Sequence, residues 1–150
     1  MDQEFMGLAL NEARKAEERG EVPVGAVITD AAGIVIAHGF NQPISTHDPT
    51  AHAEIVAMRE AAKAIGNYRL AGLILYCTME PCVMCAGAMV HARIQRLVYG
   101  AADSRAGASG SIYNILTDTR LNHQVEVVAG VREEECREIV RNFFEKKREK

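Results

Sequence analysis

The chain has 150 residues, 48% of them hydrophobic and 25% charged, with a formal net charge of −3. That length suits one domain over 1–150 with a real core, and the acidic balance excludes nucleic-acid binding by bulk charge. The charge is uneven, however: residues 141–150, RNFFEKKREK, carry five Lys/Arg and two Glu, a local net of +3.

In chain order, residues 4–19 read as a helix, with Phe5, Leu8, Glu12 and Ala16 close to helical spacing and Gly20 ending it. VPVGAVITD (22–30) reads as a strand, DAAG as a turn and IVIAHGF (34–40) as its hairpin partner. The polar loop NQPISTHDPT follows, then a helix over 51–65 with Ile55, Met58, Ala62 and Ile65 on one face. GLILYCTM (72–79) is a nearly all-apolar strand, the pattern of a sheet position buried on both faces. PCVMCAGAMVHA (81–92) is a helix with Pro81 at its first position. A strand over 94–100, a loop over 101–122, a strand over 124–130 and a closing helix over 132–148 complete the chain. Strands alternating with helices predict an α/β fold, with helices on both faces of a largely parallel sheet and an antiparallel edge formed by the first hairpin. Sites in such sheets collect at the carboxyl ends of strands, where Cys82 and Cys85 fall.

The start of the chain is acidic and helical, unlike a secretory leader, and no apolar run approaches the roughly 18 residues of a spanning helix. The expected compartment is the cytoplasm, where thiols stay reduced. The four cysteines, Cys77, Cys82, Cys85 and Cys136, are therefore read as metal ligands or buried groups. Cys77 belongs to the core, and Cys136 to the core or surface of the last helix. Cys82 and Cys85 form a C-x-x-C pair with no second such pair to close a structural zinc site. His52 supplies a third ligand, which leaves the fourth corner of a tetrahedron open, the pattern of catalytic zinc. Two thiolates cancel the charge of the dication and favour the positive end of a helix dipole. Glu54, two residues beyond His52, is placed as a proton shuttle beside the open corner. One geometric demand follows. Residues i and i+2 of a regular helix point about 200° apart, so the metal has to lie off the helix end.

HAE (52–54) with PCVMC (81–85) resembles the H-x-E…P-C-x-x-C signature of the zinc-dependent nucleoside and nucleobase deaminases. VPVGAV, GFNQPI, HDPTAHAEI, NYRL, EPCVMCAGAMVHARI, SGS and the FF of the tail extend the likeness to the bacterial tRNA-specific adenosine deaminases, from about residue 5 onward. The resemblance implies a three-layer α/β/α cytidine-deaminase-like fold with a five-stranded mixed sheet, one Zn2+ per subunit and a homodimer. The implied reaction is hydrolytic deamination of adenosine to inosine at the wobble position of a tRNA anticodon stem-loop. It also implies Asn41 against the base, Val24 as an apolar wall, Asp103 and Arg105 around the flipped nucleotide, and Phe144, Lys147 and Arg148 on the RNA. Arg105 and Ala106 depart from the lysine and threonine expected there.

His38 reads as a strand residue, His47 as a loop hydrogen-bonder and His91 as a helix-end cation, with His123 facing RNA or solvent. Two other functions compete: a zinc-dependent deaminase of guanine, cytosine or a cytidine nucleotide, and a non-catalytic zinc subunit. The second of these expects Glu54 to be lost, and it is present.

Overall fold

A computed structural model describes residues 1–148; Glu149 and Lys150, at the end of the basic tail, lie outside the described residues. The elements are α1 (Asp2–Glu18), β1 (Gly25–Thr29), β2 (Val35–Phe40), α2 (Pro43–Thr46), α3 (Ala53–Ile65), β3 (Ile74–Met79), α4 (Val83–Ala92), β4 (Arg96–Ala101), β5 (Glu126–Val128) and α5 (Glu133–Arg148). The expected order holds, with α2 as one added turn inside the polar loop.

The strands form a single sheet in the order β2-β1-β3-β4-β5. β3, β4 and β5 are mutually parallel, but β1 is antiparallel to both β2 and β3. The sheet is thus mixed, and less parallel than the alternation of elements predicts. The hairpin reverses the chain once, and α3 carries it back so that β3 runs parallel to β2. β3 then takes the seat beside β1, leaving β1 with antiparallel neighbours on both sides.

Both faces of the sheet are apolar, which accounts for the unbroken run in β3. Leu75 and Cys77 enter a core shared with Met58 of α3 and Met89 of α4. Tyr76, on the opposite face, packs with Met6 and Leu10 of α1 and with Cys136 of α5. Cys136 therefore belongs to the core. A Cβ on Gly39 would come within 2.8 Å of Ala53 O and Ala57 N, so a glycine in β2 lets α3 lie close on the sheet. That approach turns the buried stripe of α3 toward Ala53, Ala57 and Ala61, and Ile65 is left exposed. In α1 the buried stripe is Met6, Ala9, Leu10, Ala13 and Ala16, with Leu8 outside it.

Register decides which loops meet. Gly25 pairs with Phe40, Ala26 with Cys77, and Met79 with Ala101. The start of β1 and the ends of β2, β3 and β4 therefore share one edge of the sheet. α5 runs alongside α1 in the same direction, with Arg132 beside Gly7 and Lys146 beside Glu17, so the basic end of α5 also points to that edge.

The other end of α1 is fixed by charge. Arg96 donates to Asp2 through Nη1 (3.0 Å) and Nη2 (2.6 Å), and the Tyr76 hydroxyl donates to Asp2 Oδ1 at 2.9 Å. Arg96, chiefly by its hydrogen bonds, holds the Asp2 carboxyl below its ordinary value against the opposing effect of burial. Asp2→Asn is expected to cost about 1–2 kcal/mol at pH 7 in urea unfolding. A group with a depressed folded pKa lends its stability above its unfolded value, near 3.8 for this residue. The gap between variant and wild type should therefore close as pH falls through the lower, folded value.

Candidate active site

Two helix starts build the centre. His52 is the N-cap of α3 (φ −70°, ψ 154°) and Cys82 the N-cap of α4 (φ −77°, ψ 177°). Each already supplies the first helical acceptor: Val56 N–H donates to His52 O at 3.0 Å, and Ala86 N–H to Cys82 O at 2.9 Å. Neither side chain caps its own helix. The extended backbone at both caps lets these side chains point off the helix ends, which is the geometry the i, i+2 spacing of His52 and Glu54 demands. Pro81 consequently lies one residue before the cap of α4, and not at its first helical position as expected. A cap with an unused side chain moves the helix start to Val83.

His52 Nδ1 lies 3.6 Å from Cys82 Sγ and 3.5 Å from Cys85 Sγ, and all three donor atoms fall within 4.8 Å of one another. Tetrahedral zinc, with Zn–N near 2.05 Å and Zn–S near 2.3 Å, has N···S edges of about 3.6 Å. The residues therefore fit zinc in both donor type and spacing. Their protons agree. The Cys82 thiol is pulled down to about 3, first by the hydrogen bond from Cys85, with burial opposing and His52 assisting. The same hydrogen bond, together with burial, pushes the Cys85 thiol up. His52 is raised, chiefly by its hydrogen bond with Cys82. Cys82 is thus the ligand held nearest its metal-binding thiolate form, and a dication would displace the proton of Cys85.

Glu54, in the first turn of α3, is 4% exposed, and burial raises its pKa. Cys77 of β3 is fully buried, and the Glu54 charge adds to burial in pushing its thiol up, which places the two groups together. Asn41 N–H donates to Val24 O at 3.1 Å, so the strand ends that carry these two residues meet. Asn41 Oδ1 accepts from Ala53 N–H at 2.8 Å. It does the capping that His52 does not, and its amide NH2 is left to donate.

Asp103 and Arg105 lie on the loop after β4, and that loop is fastened from beneath by Glu80, a residue sequence reasoning passed over. Glu80 is 3% exposed. Its Oε1 accepts from Asp103 N–H (3.0 Å) and from Ser111 Oγ, and its Oε2 from Ser109 N–H (2.9 Å) and Ser111 N–H (3.1 Å). Burial alone would raise this carboxyl, but the four donors outweigh it and hold it below its usual value. The signal available in the sequence was an acid directly preceding the Pro-Cys pair, followed downstream by small loop residues. Glu21 is a second such anchor, accepting from Ile44 N–H (3.2 Å) and Ser45 N–H (2.7 Å).

Phe144 and Arg148 are not among these groups. They are exposed on α5, which packs against the opposite face of the sheet from α3 and α4. Phe144 sits edge-on to Phe143, and the Lys147 ammonium lies 5.0 Å from the Phe143 ring. The Lys147 charge adds to the backbone donors in lowering Glu21, so this end of α5 lies near the residue that holds the turn after Asn41. Among the remaining histidines, His123 Nε2 donates to Ile94 O at 2.8 Å, exposed His38 faces Glu12 at 3.2 Å, and His47 and His91 are exposed.

Residues 1–101 match the cytidine and deoxycytidylate deaminase zinc-binding region. The tRNA-specific adenosine deaminase of Haemophilus influenzae is 52% identical over 148 residues, covering 99% of this chain and 86% of that protein. A structure solved in studies of A-to-I editing by tRNA:A34 deaminases superposes with a TM-score of 0.87 at 48% identity, covering 91% of this chain and 98% of that one. Guanine deaminase from Bacillus subtilis is 42% identical with a TM-score of 0.62, covering 65% of this chain and 62% of that one.

His52→Ala and Cys85→Ala are each expected to leave far less than one zinc per chain by metal analysis, with the wild type holding one. Affinity should fall as pH drops, because Cys85 and His52 have to lose protons to bind; competition with a chelator between pH 8 and 5 checks this.

Proposed function

The chain belongs to the cytidine and deoxycytidylate deaminase zinc-binding family, and we infer that within it this protein is a zinc-dependent tRNA adenosine deaminase. It converts adenosine to inosine at the wobble position of an anticodon stem-loop. The single observation carrying this reading is the His52–Cys82–Cys85 triangle with buried Glu54 at its side, in a chain alike to tRNA deaminases over nearly its full length. The guanine deaminase likeness covers only about two thirds of the chain and superposes less closely, which makes a free-base substrate the weaker reading.

Zinc held by His52, Cys82 and Cys85 supplies Lewis-acid activation of water near neutral pH. The overall change adds water across C6 and N1 of adenine and then breaks the C6–N6 bond. The water oxygen stays on C6, one of its protons ends on N1, and the other leaves with the amine as ammonia. Glu54 carries both protons. Burial raises its affinity for a proton, so it can hold one between transfers and release it to N1 or N6. Asn41, with its oxygen occupied by α3, presents NH2 donors to an acceptor on the purine edge. Val24 offers the apolar wall. Asp103 and Arg105 contact the nucleotides flanking the flipped adenosine, and Phe144 and Arg148 bind the stem-loop by stacking and by phosphate charge.

One deaminase domain spanning 1–150 accounts for the whole chain. Among the described residues no helix is long and apolar enough to cross a membrane, and a tRNA substrate fits the cytoplasm. Exposed Val83, Ile112 and Tyr113 support a homodimer, which light scattering would test.

The zinc-loaded protein, offered deproteinised tRNA and separately adenosine, guanine, cytosine and cytidine, should form inosine in tRNA. Turnover of a free base with no inosine in tRNA would overturn the reading. Glu54→Gln should keep its zinc and lose about 10²–10⁴-fold in turnover. Arg148→Ala should flatten the slope of log(kcat/KM) against log salt by about 0.7–1.

A further inference from the structure

The segment 102–106 has little of its own to hold its shape. Ala102, Ser104, Arg105 and Ala106 are exposed and Asp103 is half-buried. The turn closes on Asp103: its Oδ1 accepts from Arg105 N–H (3.0 Å) and Ala106 N–H (3.2 Å), and its carbonyl from Gly107 N–H (2.9 Å). Asp103 in turn hangs from Glu80. On the far side, Ser109 and Ser111 hang from the same carboxylate, and Ala108 N–H donates to Pro81 O at 2.8 Å. A Cβ on Gly107 would overlap the Glu80 carboxylate and come within 2.5 Å of Asp103 O, so the loop is folded directly around that carboxylate.

We propose that Glu80 is a positioning residue for the tRNA, fixing the 102–111 loop from below so that Asp103 and Arg105 meet the nucleic acid in register with the zinc. It rests on the tRNA reading above. Glu80 and the ligand Cys82 are separated by one residue, so a single stretch of chain sets both the metal and the loop. A buried carboxylate is a poor device for stability alone, because desolvation offsets much of what its hydrogen bonds contribute. What it provides here is one rigid acceptor for three backbone N–H groups of one loop.

Glutamine discriminates sharply. Its remaining oxygen can serve Ser109 and Ser111 N–H, while its NH2 faces Ser111 Oγ, which can turn to accept. Asp103 N–H then loses its acceptor, and the turn bearing Arg105 is freed. In Glu80→Gln, the KM for an anticodon stem-loop should rise about tenfold, with kcat changed less than about threefold and zinc still one per chain. In that background Arg105→Ala should raise KM less than it does in the wild type, because a loosened loop no longer presents the side chain. Gly107→Ala, which keeps the glutamate but forces the loop and its carboxylate apart, should give the same KM effect.

An unchanged KM with lowered thermal stability, or additive effects of Glu80→Gln and Arg105→Ala, would overturn the proposal. So would loss of fold or zinc in both Glu80→Gln and Gly107→Ala, since Glu80 would then be structural only. A wild type that makes no inosine in tRNA removes the tRNA reading along with this one. A wild type that makes it, beside a Glu80→Gln variant of normal KM, removes this one alone.

Discussion

Two helix starts lie side by side at one end of the sheet, and their positive ends point at the place where a dication fits. Left to the dipoles alone, that would be an unfavourable seat for a metal. Thiolates reverse the sign. Cys82 is already ionised by its neighbours, and both helix starts favour negative charge beside them. The 3.5 and 3.6 Å separations between His52 Nδ1 and the two sulfurs are the physical quantity that the surrounding fold has to maintain. Gly39 helps by seating α3 close on β2, and the parallel pairing of β3 with β4 places the β4 loop over the turn into α4.

Three buried glutamates lie around this centre, and their surroundings give them different work. At Glu54 burial outweighs the hydrogen bonds it receives, so its pKa rises. Glu80 and Glu21 are each met by backbone N–H groups from a loop, so both stay ionised and act as fixed acceptors. Glu80 fastens the loop after β4, and Glu21 fastens the turn after Asn41. The carboxyl that burial dominates is Glu54, and the acids that hold loops are met by several donors each. One side-chain type is thus shifted in opposite directions around this centre, sorted by the donors that meet it.

The candidate metal group of His52, Cys82 and Cys85, with Glu54, was legible in the sequence because its spacing is local. Two cysteines three apart fall within one helical turn, a histidine and a glutamate mark a second helix start, and no further ligand pair competes. The elements were legible from periodicity, and the layers from their alternation. The antiparallel seat of β1 between β2 and β3 was not, since alternation of elements says nothing about which edge a returning strand joins. Nor was the exposure of Leu8 and Ile65, which depends on how α1 and α3 are turned against the sheet.

The sequence by itself singled out His52, Cys82 and Cys85 as a candidate zinc set with Glu54 beside it, because donor type and spacing within a turn are properties of the chain. Only the tertiary structure decided that His52 and Cys82 are unoccupied caps, that Asn41 closes α3 in place of His52, and that Glu80 and Glu21 hold the loops. Those assignments are hydrogen bonds between residues 12 to 31 positions apart. Contacts of that range leave no period in the sequence, and they exist only once the strands have brought their ends to one edge.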